Sequence, residues 1–131
     1  MIVRPATQAD IPAIVEIVER CGLGGDGIDF SVWQNHVVLV AVRQAQVVGF
    51  VACVPAKPCS IVTEFAVLPE HQGGRAAVKL IEGLELVLRH MGMTHWAAWV
   101  REKNGVMRGI MDKLGFTRSE EVGYTYHRSL A

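Results

Sequence analysis

Three apolar runs rich in Val and Leu follow one another through the middle of the chain: Val37–Arg43, Val47–Val54 and Ser60–Val67. Each has strand length and strand composition, and the breaks between them are Gln44-Ala45-Gln46 and Pro55-Ala56-Lys57-Pro58. The first two runs pair as a hairpin across their short turn, and the third is a further strand of the same group. The prolines end the pairing of the second run, because proline has no N–H to give to a ladder. Apolar stripes at helical spacing lie on both sides of this block. Ile11, Ile14, Val15 and Val18 form the first, opened by a capping-box pattern at Thr7-Gln8-Ala9-Asp10 and stopped near Cys21-Gly22. Ala77, Leu80, Ile81, Leu84, Leu88 and Met91 form the second, stopped at Gly92. Val106, Met107, Ile110, Met111 and Leu114 form the third, stopped at Gly115. Shorter strands are expected at Ile2–Arg4, Thr94–Val100 and Val122–His127, a loop over Gly22–Asp29 and a short helical piece over Phe30–Asn35. The element order implies an α/β fold, a single mixed sheet with helices on both faces, and 131 residues fit a single domain over 1–131.

Composition narrows the function classes. Lys plus Arg and Asp plus Glu both number 13, so the basic excess of a nucleic-acid binder is missing and no nucleic-acid partner is expected. No run approaches the roughly 18 apolar residues of a membrane span, and the opening Met1-Ile2-Val3-Arg4-Pro5 lacks the basic and apolar regions of a signal peptide. A cytoplasmic location without membrane attachment is the expectation. Cys21, Cys53 and Cys59 are read as ordinary free thiols. They and the scattered His36, His71, His90, His95 and His127 match no metal-ligand spacing, so no metal is expected. Trp33, Trp96 and Trp99 are read as core or pocket wall.

The segment Val67-Leu68-Pro69-Glu70-His71-Gln72-Gly73-Gly74-Arg75-Ala76-Ala77 joins a strand to the second amphipathic helix through a glycine-bearing turn. A helix start carries unpaired amides and partial positive charge, and it takes phosphate where no bulky side chain blocks approach. Gly73 and Gly74 keep the approach open, and Arg75 adds a donor fork suited to phosphate. Glycines that merely make a tight turn account for the same residues equally well.

This segment resembles the acetyl-CoA motif of the GNAT acyltransferase family: a Val-x-Pro lead, then Gln or Arg, two residues, Gly, one residue, and Gly or Ala. Val67, Pro69, Gln72 and Ala77 fit, whereas Arg75 stands where the family carries Gly. Two further stretches are similar to the family. Asn104 is followed at the family's spacing by Met111-Asp112-Lys113-Leu114-Gly115-Phe116, with Met111 in place of a usual Tyr. Ile2-Val3-Arg4-Pro5-Ala6-Thr7 with Asp10-Ile11 looks like the family's opening. The resemblance runs from Ile2 to Phe116. It implies a mixed, mostly antiparallel sheet of about six to seven strands flanked by about four helices, and acetyl-CoA as co-substrate. It also implies that the strands Ile61–Val67 and Thr94–Val100 part. The pantetheine arm would then pair with the backbone of Phe65, Ala66 and Val67 as a peptide adds to a sheet edge. The backbone of Gln72, Gly73, Gly74, Arg75, Ala76 and Ala77 would hold the pyrophosphate, and Asn104 would touch pantetheine.

Acetyl transfer to an amine needs a base for the ammonium proton, a polarised carbonyl and a proton for the departing thiolate. Glu64, on the strand before the turn, is the candidate base, against the plainer reading of a solvated strand carboxylate. Strand alternation puts it opposite Thr63 and Phe65 unless a bulge intervenes. The Tyr that the resemblance would supply as acid is Met111, which has no proton to give. Tyr124 or Tyr126 could approach from the last strand; Tyr124 is taken as the candidate, with water as the alternative. The expected activity is N-acetylation of a primary amine on a small molecule or peptide. A CoA-binding module of weak or no activity is the second reading, because of Arg75 and Met111. A small α/β interaction domain is the third. A homodimer is compatible with such folds.

Overall fold

A computed structural model describes residues 1–22, 33–100, 103–119, 124, 126 and 128–130. The chain divides into two compact units, Met1–Trp99 and Val100–Ala131.

The first unit is a five-stranded sheet in the order β1-β2-β3-β4-β5: β1 Ile2–Pro5, β2 Val37–Arg43, β3 Gln46–Val54, β4 Ser60–Val67 and β5 Trp96–Ala98. The first four strands pair antiparallel, and β5 runs parallel to β4. The β2–β3 hairpin turns at Gln44 and Ala45, both at positive φ of 49° and 64°, the geometry a two-residue hairpin loop demands even without glycine. The proline-bearing break ends β3 at Val54. The buried Ser60 hydroxyl then closes the loop, accepting from the Ala56 N–H at 3.0 Å.

Helix α1, Ile11–Arg20, covers one face of the sheet, and Ile14, Ile17 and Val18 pack with Val38, Val40, Phe50, Ala52, Ala66 and Leu68. Its entry is pinned by Asp10. That carboxylate accepts from the Thr7 N–H at 2.7 Å and takes a two-pronged bond from Arg4 of β1 at 2.7 and 2.9 Å. This buried pairing holds the Asp10 carboxyl at about 2, against an ordinary 3.8. Helix α2, Ala76–His90, covers the opposite face and buries Ala76, Ala77, Leu80, Ile81, Leu84 and Leu88. Gly83 lets it lie close to β1: a Cβ there would stand 2.9 Å from Val3 Cγ1. The expectation of helices on both faces therefore holds.

The second unit contains α3, Gly105–Lys113, which ends before Gly115 at φ 80°. Among the described residues there are five strands and three α-helices, fewer than the six to seven strands and about four helices expected. Most of the anticipated strand Val122–His127 and the first half of the helical piece Phe30–Asn35 lie outside the described residues. Two expectations are corrected. β5 is three residues long rather than spanning Thr94–Val100. Met91 follows the end of α2 and is 45% exposed, so it does not belong to the buried stripe. Among the described residues no helix is long and apolar enough to cross a membrane.

Candidate cofactor and acceptor site

The parallel pairing of β4 with β5 covers Ser60, Ile61 and Val62 against Trp96, Ala97 and Ala98. β4 continues to Val67, so its edge from Thr63 onward has no strand partner on that side among the described residues. A free edge of this kind offers backbone donors and acceptors to an extended ligand. Phe65, Ala66 and Val67, expected to pair with pantetheine, all lie on it. The carbonyl of Val67 is already engaged, accepting from Gln72 Nε2 at 3.0 Å and from Cys21 Sγ at 3.4 Å. Leu68 N–H donates to the Val48 carbonyl, so in this register Ala66 turns its backbone groups toward Phe50 of β3, and Phe65 is the residue whose backbone faces the open edge.

After Val67 the chain turns through a short 3₁₀ helix, Pro69–His71, and reaches α2 through Gln72, Gly73, Gly74 and Arg75, all exposed. Gly73 sits at φ 82°, where other residues are strained. Gly74 does not, and a Cβ on it would make ordinary contact with the His71 carbonyl at 3.5 Å. Arg75 precedes α2 as its cap residue and gives the helix no side-chain cap, so the first amides of a 15-residue helix are unsatisfied by any cap side chain. Arg75 is exposed, and its guanidinium makes no hydrogen bond or ion pair among the described residues. The bare turn, its left-handed glycine and the uncapped helix start fit a diphosphate. This is the approach that an Arg in place of Gly put in question.

Glu64 stands on β4 between the end of the β5 pairing and this turn, about 10 Å along the strand from Val67 at ~3.3 Å per residue. The register opposite β3 steps from Ala52–Glu64 to Cys53–Val62, so Thr63 is an extra, bulged residue, and its hydroxyl donates to the Ala52 carbonyl at 3.2 Å. Glu64 pairs with Ala52, which pairs with Val38. Directly opposed residues share a face, so Glu64 points to the α1 side. It is half-buried there, and burial pushes its carboxyl above the ordinary 4.5. A hydrogen bond from Trp33 and the charge of nearby His36 partly offset that rise. Trp33 is buried against Phe50 with ring centroids 6.0 Å apart. The plainer reading of Glu64 as a fully solvated carboxylate does not describe it.

Several features had no sequence signal. One is the pair of contacts around Glu64. Another is the two-pronged bond of Arg20 to Glu70, at 2.8 and 2.6 Å, which joins the end of α1 to the turn before the glycines. Trp96, read as core or pocket wall, donates its indole N–H to Glu85 of α2 at 3.0 Å. Asn104 caps α3, its Oδ1 accepting from the Met107 N–H at 3.1 Å. Asn104, Met111 and Tyr124 belong to the second unit. Cys21, Cys53 and Cys59 are unpaired, and burial pushes the Cys53 thiol up to about 11, far from a reactive thiolate. Among the described residues no group of His, Cys, Asp and Glu is placed to hold a metal ion.

The Acetyltransferase (GNAT) family matches residues 15–116. The chain belongs to the GNAT acetyltransferase family. Solved structures of the same fold include aminoglycoside acetyltransferases. AAC(6')-Iy in complex with the bisubstrate analogue CoA-S-monomethyl-acetylneamine is 16% identical, with 98% of each chain covered and a TM-score of 0.80. The 6'-N-acetyltransferase AAC(6')-Ig from Acinetobacter haemolyticus is 18% identical, with 98% of this chain and 99% of that one covered and a TM-score of 0.75. A putative acetyltransferase from Agrobacterium tumefaciens is 11% identical, with 98% and 100% covered and a TM-score of 0.81. Comparison with curated protein sequences returned no match. At these identities the likeness concerns the GNAT fold, which is mixed α/β as expected, and the element order of the first unit agrees with it.

Proposed function

We propose that this protein is an acetyl-CoA-dependent N-acetyltransferase acting on a primary amine of a small molecule or peptide. The observation that carries the reading is the edge of β4 beyond Val62, which β5 leaves unpaired and which leads through the bare Gln72–Arg75 turn to the uncapped start of α2. The solved GNAT structure bound to a CoA-linked acetylneamine supports an amine acceptor.

Acetyl-CoA supplies the activated acetyl thioester. The backbone of Gln72, Gly73, Gly74, Arg75, Ala76 and Ala77 holds the diphosphate, and the β4 edge at Phe65, Ala66 and Val67 holds the pantetheine arm, with Phe65 facing it. Glu64, made more basic by burial, takes the ammonium proton and leaves the nitrogen lone pair free. Trp33 fixes the carboxylate's orientation. Tyr124 is the candidate proton donor to the departing sulfur, and Asn104 the candidate pantetheine contact. A family match across residues 15–116 spans both units and supports reading them as one domain. Three unpaired cysteines fit a reducing, cytoplasmic setting.

Two measurements test the reading. Equilibrium titration with CoA should show saturable binding, and its absence would leave a fold used for something else. Free thiol release from acetyl-CoA across a panel of primary amines should exceed the amine-free rate. Binding without release would establish the inactive CoA-binding module, which Arg75 and Met111 favour.

A further inference from the structure

Glu70 is a carboxylate two residues before a turn read as a diphosphate cradle. A bare negative charge there repels the ligand. The structure shows what cancels it: Arg20, fifty positions earlier in the chain, grips both Glu70 oxygens at 2.8 and 2.6 Å. The neighbouring residue repeats the connection, since Cys21 Sγ donates to the Val67 carbonyl that Gln72 also holds. The last turn of α1 thus grips the β4–α2 connection at Val67 and at Glu70, on either side of Leu68 and Pro69. Arg20 brings the Glu70 carboxyl down to about 2, so the pair is fully charged at neutral pH. Two-pronged Arg–carboxylate bonds fix direction as well as distance.

We propose that Arg20 and Glu70 are positioning residues for the cofactor: the pair braces the Pro69–His71 turn against the end of α1 and sets the angle at which Gln72–Arg75 and the first amides of α2 meet the diphosphate. This rests on the reading of that turn as a CoA cradle. Neither side chain touches the ligand; both act through the backbone that follows Glu70.

Sign separates the brace from simple electrostatics. If charge alone mattered, Glu70→Gln would remove a repulsive carboxylate and tighten CoA binding, while Arg20→Met would loosen it. The brace requires both to loosen it. We expect each single variant to weaken CoA binding and raise KM for acetyl-CoA about three- to fivefold, the range open to a well-oriented exposed pair. Maximal turnover and affinity for phosphate-free pantetheine should stay as they were. The exchanged pair, Arg20→Glu with Glu70→Arg, should recover most of the loss, and unfolding curves should confirm that all variants fold. Tighter binding in Glu70→Gln, unchanged binding in both single variants, or an exchanged pair no better than either single change would each overturn the brace. Wild-type protein that binds no CoA would overturn the cradle reading itself and the brace with it. Wild-type binding with indifferent variants removes the brace alone.

Discussion

Gly73 and Gly74 are adjacent, equally exposed, and should respond to alanine in opposite ways. Gly73 stands at φ 82°, and a Cβ there would meet nothing within 4 Å. Gly73→Ala therefore carries a purely conformational cost, roughly 1–2 kcal/mol for a left-handed non-glycine residue. Gly74 is not at positive φ, and its added Cβ would rest 3.5 Å from the His71 carbonyl, an ordinary contact. Gly74→Ala should leave stability within about 0.5 kcal/mol of wild type, or raise it slightly by stiffening the unfolded chain. If the turn serves only to reverse the chain, that ends the matter. If backbone amides hold a diphosphate, a methyl group added beside the Gly74 amide crowds the ligand's approach to the turn. A weakened bond to a charged group is worth about 1.5–3 kcal/mol, so CoA affinity should fall at least about tenfold with stability intact. Urea unfolding gives the first quantity and calorimetric titration with CoA the second, with phosphate-free pantetheine as control. A Gly74→Ala protein that binds CoA like wild type refutes the cradle. A Gly73→Ala protein with undiminished stability refutes the backbone geometry assigned to the turn.

Other outcomes follow from the same structure. Glu64→Gln should cut turnover at least about a hundredfold, the usual share of a general base, with CoA affinity nearly unchanged; an unaltered rate removes Glu64 from the mechanism. Because burial raises the Glu64 carboxyl, the acid limb of the wild-type rate profile should lie above 4.5 and vanish in that variant. Arg75→Ala should weaken CoA more than phosphate-free pantetheine, and equal effects on both ligands would mean the guanidinium stays clear of phosphate. Asp10 is depressed from 3.8 to about 2 in the fold, so its contribution is complete above pH 4 and is lost as pH falls toward 2. That shift corresponds to about 2 kcal/mol, and Asp10→Asn should remove it and flatten stability across that window in urea titrations.

What the sequence made legible was what local pattern controls. The strand runs, the α1 and α2 stripes and their stops were readable because burial of one face imposes a period on the residues. The boundaries of α1 and of β4 agree with the structure closely. The shortening of β5 was not readable. Thr94–Val100 has strand composition along its length, and what ends the ladder at Ala98 is the geometry of β4 beside it, not any residue in the segment. The hairpin turn at Gln44-Ala45 likewise adopts positive φ without a glycine or asparagine to announce it; tight closure between Arg43 and Gln46 imposes it from the strands.

The candidate site divides along the same line. Gln72, Gly73, Gly74 and Arg75 were readable because a phosphate turn depends on backbone freedom, which residue type records directly. Glu64 was readable as a carboxylate, but its direction was not. Alternation sets it opposite Thr63, and the bulge at Thr63 breaks the count just where the β5 pairing ends. Unpairing and bulging belong together: the extra residue turns the edge of β4 away from a straight ladder, so β5 can follow it through Val62 and no further. Glu64 stands in register with Ala52 on the α1 face, where partial burial raises its carboxyl and the hydrogen bond from Trp33 partly offsets that rise. The inserted residue coincides with the end of the β5 pairing, while plain alternation from Ala66 carries Glu64 onto the α1 face. Deleting Thr63 should therefore disturb the open edge, weakening CoA binding in calorimetric titration, and unchanged affinity would separate the bulge from the cofactor edge.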